Sequence, residues 1–293
     1  MRFLVNGSIA FDILLEHKGS FLSGIRADAL QDLSVNYLAE GYRRHHGGTA
    51  ANIGWTLALL GHTPVLAGAI GDDGQAYLAL LRERGLDTSL VERRSDAVTA
   101  TAIIATDASN RQMSFFHPGA DGCAIFPDIK DEECAMAIMS PRNPSLILEG
   151  IRQCKAYGIP YVFDPGQVVH AFTKEQLLDA MNGCRCLVVN AYEWTLLEKI
   201  LGMQEKRVAE LASLLVITEG ERGLRMMTPD KMLQIPPCMT SKMINPTGAG
   251  DALRAGLLHG LASGWSLEDT GRLGAILGCF VVEQEGTLLN ALD

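Results

Sequence analysis

The chain has 293 residues, 47% of them hydrophobic and 20% charged, with a formal net charge of −9. That length fits one large α/β domain or two smaller ones around a sizeable core, and the negative balance excludes wholesale binding to a nucleic acid polymer while leaving room for a local patch around one small anion. The seven scattered Cys contain no C-x-x-C pair. They read as reduced, mostly buried thiols rather than disulfides or a zinc site, which predicts a cytoplasmic home. No apolar run reaches transmembrane length and the N-terminus lacks a signal-type apolar stretch, so no membrane partner is expected.

Phe3, Leu4 and Val5 read as a short buried strand. Residues 13–42 are mixed and polar, with Gly19, Gly24 and Gly41, and do not scan as a helix of the main layer. Residues 50–60 read as a helix ended by Gly61, and 64–70 as an apolar strand stopped by Gly71, Asp72, Asp73 and Gly74. A helix over 76–84 ends at Gly85. Residues 98–105 and 112–116 are β-rich on either side of the turn-like Asp107, Ala108, Ser109 and Asn110, a hairpin signature. From residue 135 strands (135–139, 161–163, 187–189, 214–217) alternate with helices (144–157, 173–181, 192–201), and Thr173 with Gln176 is spaced as a capping box. The alternation predicts a single α/β domain over residues 1–293 with a doubly wound, mostly parallel sheet. The pieces near 13–45 and 97–117 find no place in that sheet and are predicted to pair into a small β-sheet lid over the strand ends.

Five stretches could carry chemistry. In Asn245-Pro246-Thr247-Gly248-Ala249-Gly250-Asp251, small residues leave backbone N–H groups bare ahead of the apolar run 252–261, whose helix would point its positive end at them; a phosphate is the natural guest. A carboxylate beside a phosphate site reads as a base acting on whatever the phosphate will react with, or, more plainly, as an Asp suited to a helix first turn. Gly47-Gly48-Thr49-Ala50-Ala51-Asn52 opens a helix narrowly, and Asn52 offers a donor and an acceptor to a hydroxyl, or merely a cap. Asp12, soon after the first strand, can accept from vicinal hydroxyls or sit in a solvated turn. Asn190 and Glu193 lie three apart at a helix start and face one way; they could hold a hydrated Mg²⁺ or cap the helix. Thr218, Gly220 and Gly223 punctuate a strand end as nucleotide sites do, or as a hairpin does.

In their order along nearly the whole chain, these stretches resemble the ribokinase-like, or PfkB, family of carbohydrate and nucleoside kinases. G-G-x-A-A-N and x-x-T-G-A-G-D are specific when found together about 200 residues apart. The resemblance implies the same doubly wound fold with its lid, and ATP and Mg²⁺ as cofactors. It implies Asp251 as the catalytic base, the N–H groups of Gly248, Ala249 and Gly250 as the anion hole, and Asp12, Gly48 and Asn52 as ligands of the acceptor hydroxyls. Asn190, Thr218, Gly220 and Gly223 fall on the nucleotide side, with Glu193 reaching Mg²⁺ through water. Many members begin the loop with an Asp associated with a monovalent-cation site; Asn245 stands there, which sets K⁺ activation in doubt. Arg254, one turn after Asp251, reads as a phosphate ligand or a structural ion pair, with the balance toward the latter.

Three further stretches resemble bacterial adenosine or nucleoside kinases of that family: Phe163-Asp164-Pro165-Gly166-Gln167, Phe115-Phe116-His117-Pro118-Gly119-Ala120, and Arg254 within 251–256. They imply an adenosine-like nucleoside phosphorylated at its 5′-hydroxyl, with Gln167 on the acceptor side. A purine wants a flat apolar partner, and Phe115 or Phe116 could stack on one. Strand neighbours alternate faces, so only one should reach the ligand, and Phe116 is taken as that one. The alternatives are a ribokinase- or fructokinase-type sugar kinase, with Arg43 and Arg44 available to a phosphorylated acceptor, and a ligand-binding homologue without turnover. The expected partners are a small nucleoside or sugar and ATP, in a monomer or homodimer.

Overall fold

The computed structural model describes residues 1–25, 31, 34–240 and 242–291. A nine-stranded sheet runs in the order β13-β12-β11-β10-β9-β8-β1-β4-β5. The interior strand β1 (Arg2–Asn6) is flanked in parallel by β4 (Thr63–Gly71) and β8 (Met136–Met139). Beyond β8 follow β9 (Tyr161–Phe163), β10 (Cys186–Asn190) and β11 (Leu215–Thr218), all parallel, then the antiparallel β12 (Leu224–Met227) and β13 (Met232–Ile235). On the other side β5 (Val91–Arg94) pairs with β4.

Both faces of this sheet are covered, which is why its inner strands are largely apolar rather than alternating. In β1, Phe3 and Val5 point into one core and Leu4 into the other. The first core is closed by α1 (Thr49–Leu59), α2 (Gln75–Glu83) and α7 (Ala249–Ala262). The second is closed by α3 (Pro144–Tyr157), α4 (Lys174–Met181), α5 (Ala191–Leu201) and α6 (Glu205–Ala212). The last helix, α8 (Leu267–Val282), packs on α7 so closely that a Cβ on Gly256 would lie 2.8 Å from the Gly274 Cα. The caps expected from sequence are formed: Thr173 and Gln176 exchange both bonds of a capping box, and Gly158 ends α3 in the left-handed conformation. No helix among the described residues is long and apolar enough to cross a membrane.

A second sheet has the order β3-β2-β6-β7, from β2 (Ala10–His17), β3 (Gly41–Gly47), β6 (Ala100–Asp107) and β7 (Gln112–His117). It is the small β lid of the fold, and it draws on the two regions that the main pattern could not place. β2 starts at Ala10, earlier than 13, and it pairs in parallel with β6 while the other pairs are antiparallel. Residues 26–30 and 32–33 of the first region lie outside the described residues.

The passage from β3 into α1 needs glycine. Gly48 has φ 96°, and a Cβ there would meet the Ser8 carbonyl oxygen at 2.5 Å and the Ala10 nitrogen at 2.6 Å. Both obstacles are backbone and neither can yield. Gly48→Ala is expected to destabilise the protein by at least about 2 kcal/mol, read as a lower denaturant midpoint. An unchanged midpoint would refute the constraint.

Candidate active site

The parallel strands deliver polar residues to one rim at their carboxyl ends, the usual crevice of a doubly wound sheet. Asp164 follows β9, its N–H held by the Met139 carbonyl at 2.9 Å. Asn190 ends β10 and Thr218 ends β11, and the two are register partners. The loop 245–248 and the first turn of α7 stand over this rim.

Gly248 caps α7 with a left-handed φ of 88°, pressed against Thr287. The Ala249 N–H closes a turn onto the Pro246 carbonyl at 3.3 Å, whereas the Gly248, Gly250 and Asp251 N–H groups have no protein acceptor among the described residues. The positive end of the helix is added to those donors. Asn245 anchors the loop on both sides: its Oδ1 accepts from the Thr247 N–H at 3.0 Å and its Nδ2 donates to the Glu285 carbonyl at 2.9 Å.

Asp251 is not a solvated first-turn carboxylate. Asn52 Nδ2 donates to its Oδ2 at 2.7 Å, and the Thr287 hydroxyl lies 2.9 Å from Asn52 Oδ1 and 3.0 Å from the His46 carbonyl. Burial pushes the Asp251 carboxyl up to about 6, against the opposing pull of the Asn52 bond and the Arg254 charge. Arg254 grips Asp164 through two nitrogens and donates from Nη1 to the Gly250 carbonyl at 3.0 Å. Both partners of that ion pair are buried, so the structure gives Arg254 a place as the inner strut of α7.

Across the cleft lies the small sheet. The register His45–Asp12–Ala102–Phe116 puts these residues in one row on one face, with Phe115 on the other. Asp12 and His45 face Asn245, Thr247, Glu285 and Thr287, and a cleft of about 570 Å³ opens outward from there past Arg43 and Thr106. Burial raises the Asp12 carboxyl to about 6, partly offset by His45. Gly47 leaves room for this carboxylate, since a Cβ there would lie 2.4 Å from its Oδ2. Phe116 is 58% exposed and Gln167 is exposed beyond β9, and neither lines the cleft as it stands.

Asn190 and Glu193 do face one way, and they face each other. The Glu193 N–H donates to Asn190 Oδ1 and the Asn190 N–H to Glu193 Oε2, each at 2.8 Å, a complete capping box on α5. One Glu193 oxygen remains beyond that box, and burial raises the carboxyl above the ordinary range. Among the described residues no three His, Cys, Asp or Glu side chains converge on a metal position, so this donor set fits only an ion that keeps water and phosphate oxygens as most of its ligands. The Thr218 turn is tight: Gly220 and Gly223 have φ of 59° and 85°, and the Glu219 N–H returns to the Gly223 carbonyl at 2.8 Å.

Three contributions could not be read from local sequence. Thr287 and His45 come from segments far from Asp251, and only the fold brings them in. Asp164 stands inside a legible stretch, but nothing local pairs it with Arg254.

The pfkB family carbohydrate kinase model matches residues 19–292. The nucleoside kinase of Methanothermobacter thermautotrophicus is 30% identical over 99% of this chain and 92% of its own, and that of Methanocaldococcus jannaschii is 32% identical over 85% and 82%. The structure of Burkholderia thailandensis nucleoside kinase in complex with inosine superposes with a TM-score of 0.88, at 32% identity, covering 98% of this chain and 92% of that one. With a family model spanning nearly its whole length and a doubly wound sheet under a small lid, this chain belongs to the pfkB family of carbohydrate kinases, phosphotransferases that act on hydroxyl groups.

Proposed function

We propose that this protein is an ATP-dependent nucleoside kinase that transfers the γ-phosphate to the 5′-hydroxyl of an adenosine- or inosine-like acceptor. One observation carries the reading: a carboxylate, Asp251, held by Asn52 and set in the same helical turn as N–H groups with no protein acceptor. Such a turn can take a proton from a hydroxyl and cradle the phosphoryl group that replaces it. In phosphoryl transfer the protein mainly positions reactants and offsets charge. Asp251 is the base, the Gly248 and Gly250 amides, with the neighbouring Ala249 turn, form the anion hole, and Asp12 and the second Asn52 N–H hold the acceptor. Closure of the small sheet excludes water as a competing acceptor and brings Phe116 over the base of the nucleoside.

ATP phosphates run from the anion hole toward the Asn190 and Thr218 strand ends and the Gly220–Gly223 turn. Glu193 would hold Mg²⁺ through water, and the ion would supply charge neutralisation. Asn245, its Oδ1 already accepting from the Thr247 N–H, has no charge to offer a monovalent cation; exchanging K⁺ for a bulky organic cation at fixed ionic strength is expected to leave kcat/KM unchanged.

The similarity to kinases named for nucleosides supports the acceptor class. A coupled assay over adenosine, inosine, cytidine, ribose and fructose tests it, with nucleosides expected to be preferred. Preference for ribose or fructose would instead favour the sugar-kinase reading, for which Arg43 at the outer cleft is the supporting observation.

The base assignment predicts a pH dependence. Asp251 works only when ionised, so kcat should fall as the pH drops below about 6, and replacing Asn52 should move that acid limb upward because its hydrogen bond favours the ionised form. Asp12 titrates in the same range and interacts with Asp251, so the limb belongs to the pair. The stability effect has the opposite sense. Both carboxyls titrate higher folded than unfolded, so keeping them ionised costs stability above pH ~6, and the cost fades as the pH falls toward ~4.

A further inference from the structure

The small sheet presents one more polar side chain to the cleft, and the protein does not use it. His45 is the register partner of Asp12, so the two project from the same face, and both line the inner cleft opposite Thr287. His45 Nε2 is shielded from solvent and has no hydrogen-bond partner among the described residues. Its Nδ1 faces the 285–287 segment, where a Cβ on Gly286 would come within 3.8 Å. A shielded ring nitrogen without a partner carries a desolvation cost that proteins rarely leave standing outside functional sites. The neighbouring Asp12, once ionised, can only accept hydrogen bonds, whereas an imidazole can donate or accept. A vicinal diol asks for this combination: one hydroxyl gives its proton to the carboxylate and the other exchanges a bond with the ring.

We propose that His45 determines specificity by hydrogen-bonding, through Nε2, one hydroxyl of the acceptor's vicinal diol while Asp12 takes the other. The inference rests on the nucleoside-kinase reading above and adds that the site measures the sugar rather than the base at this point. It separates His45 from Asp251: the ring contacts a hydroxyl that does not react.

The test compares kcat/KM for inosine, 2′-deoxyinosine and 3′-deoxyinosine in the wild type, His45→Ala and His45→Gln. The wild type should favour inosine over one deoxy analogue by about ten-fold, the scale of one lost hydrogen bond with its partner left unpaired. His45→Ala should lose about ten-fold on inosine and little on that analogue, erasing the preference. His45→Gln, which can still donate and accept, should keep part of it. Equal loss on all three substrates, or an unchanged preference in both variants, overturns the proposal while leaving the nucleoside-kinase reading intact. Absence of turnover on every nucleoside by the wild type overturns that reading and the proposal with it. Melting temperature and ADP affinity, expected to match the wild type in His45→Gln, ensure that a folding defect in the Ala variant is not mistaken for lost contact.

Discussion

Asp251→Asn should lower kcat by about 10²–10⁴-fold, the usual contribution of a positioned general base, while ADP binds as before. The substitution is nearly isosteric. The Asn52 amide can still donate to the new side-chain oxygen, so the first turn of α7, its N–H groups and its link to Thr287 should keep their places. What disappears is the capacity to accept a proton. The variant's residual rate should also lose the acid limb that Asp251 contributes in the wild type, leaving at most that of Asp12. Steady-state kinetics with the preferred acceptor and calorimetry with ADP check both halves. Near-normal turnover would remove Asp251 from the chemistry, and loss of ADP binding would show that the carboxylate is needed for architecture instead.

The largest expected stability effect lies one turn further along α7. Arg254→Met leaves the Asp164 carboxylate buried beneath the helix with its bidentate partner gone. Removing one member of a buried pair costs about 3–5 kcal/mol, most of it the penalty of the stranded charge. For a chain of this size that is a fall in melting temperature of about 5–8 °C. The double variant Asp164→Leu with Arg254→Met removes both charges and should regain much of the loss. Scanning calorimetry of the two variants distinguishes an ion pair that braces α7 from a phosphate ligand: a catalytic arginine would lower kcat in both variants while leaving the melting temperature nearly unchanged.

How much of this was legible depended on how local the signal was. Residues 144–157 and 161–163 emerge with the bounds read from sequence, because Asn143, Pro144 and Gly158 mark the helix ends by local chemistry. The edge strands Val91–Arg94 and Met232–Ile235 escape the pattern, being short, half-exposed and punctuated by charge or polar groups. The last helix carries Gly271, Gly274 and Gly278, poor helix formers in isolation. Its glycines make sense against Met226, Leu253 and Ala249, where a Cβ would lie 2.7 Å from the Met226 sulfur, 3.1 Å from Leu253 Cγ and 3.2 Å from the Ala249 carbonyl oxygen.

The site divides the same way. Each motif residue was visible because glycine loops and helix starts leave local signatures. The pairings were not: Asn52 with Asp251, Arg254 with Asp164 and Asp12 with His45 are products of topology. The Asn190–Glu193 pair shows the converse. Its spacing allowed either a metal or a helix cap, and the coordinates show the cap, a complete capping box.

The bond from Thr287 to Asn52 has a bearing on how this protein comes into being. Asn52 leaves the ribosome early, and the hydroxyl that orients its amide is made more than 200 residues later. The Trp55 indole, on the same helix, likewise waits for the Leu289 carbonyl at 2.7 Å. A nascent chain can therefore hold every glycine motif and most of the central sheet while the Asn52 partner of Asp251 still lacks the hydroxyl that orients it. Phosphotransfer competence should appear abruptly, only once residues 287–289 have been made, and a chain cut just after α8 should bind nucleotide better than it turns over.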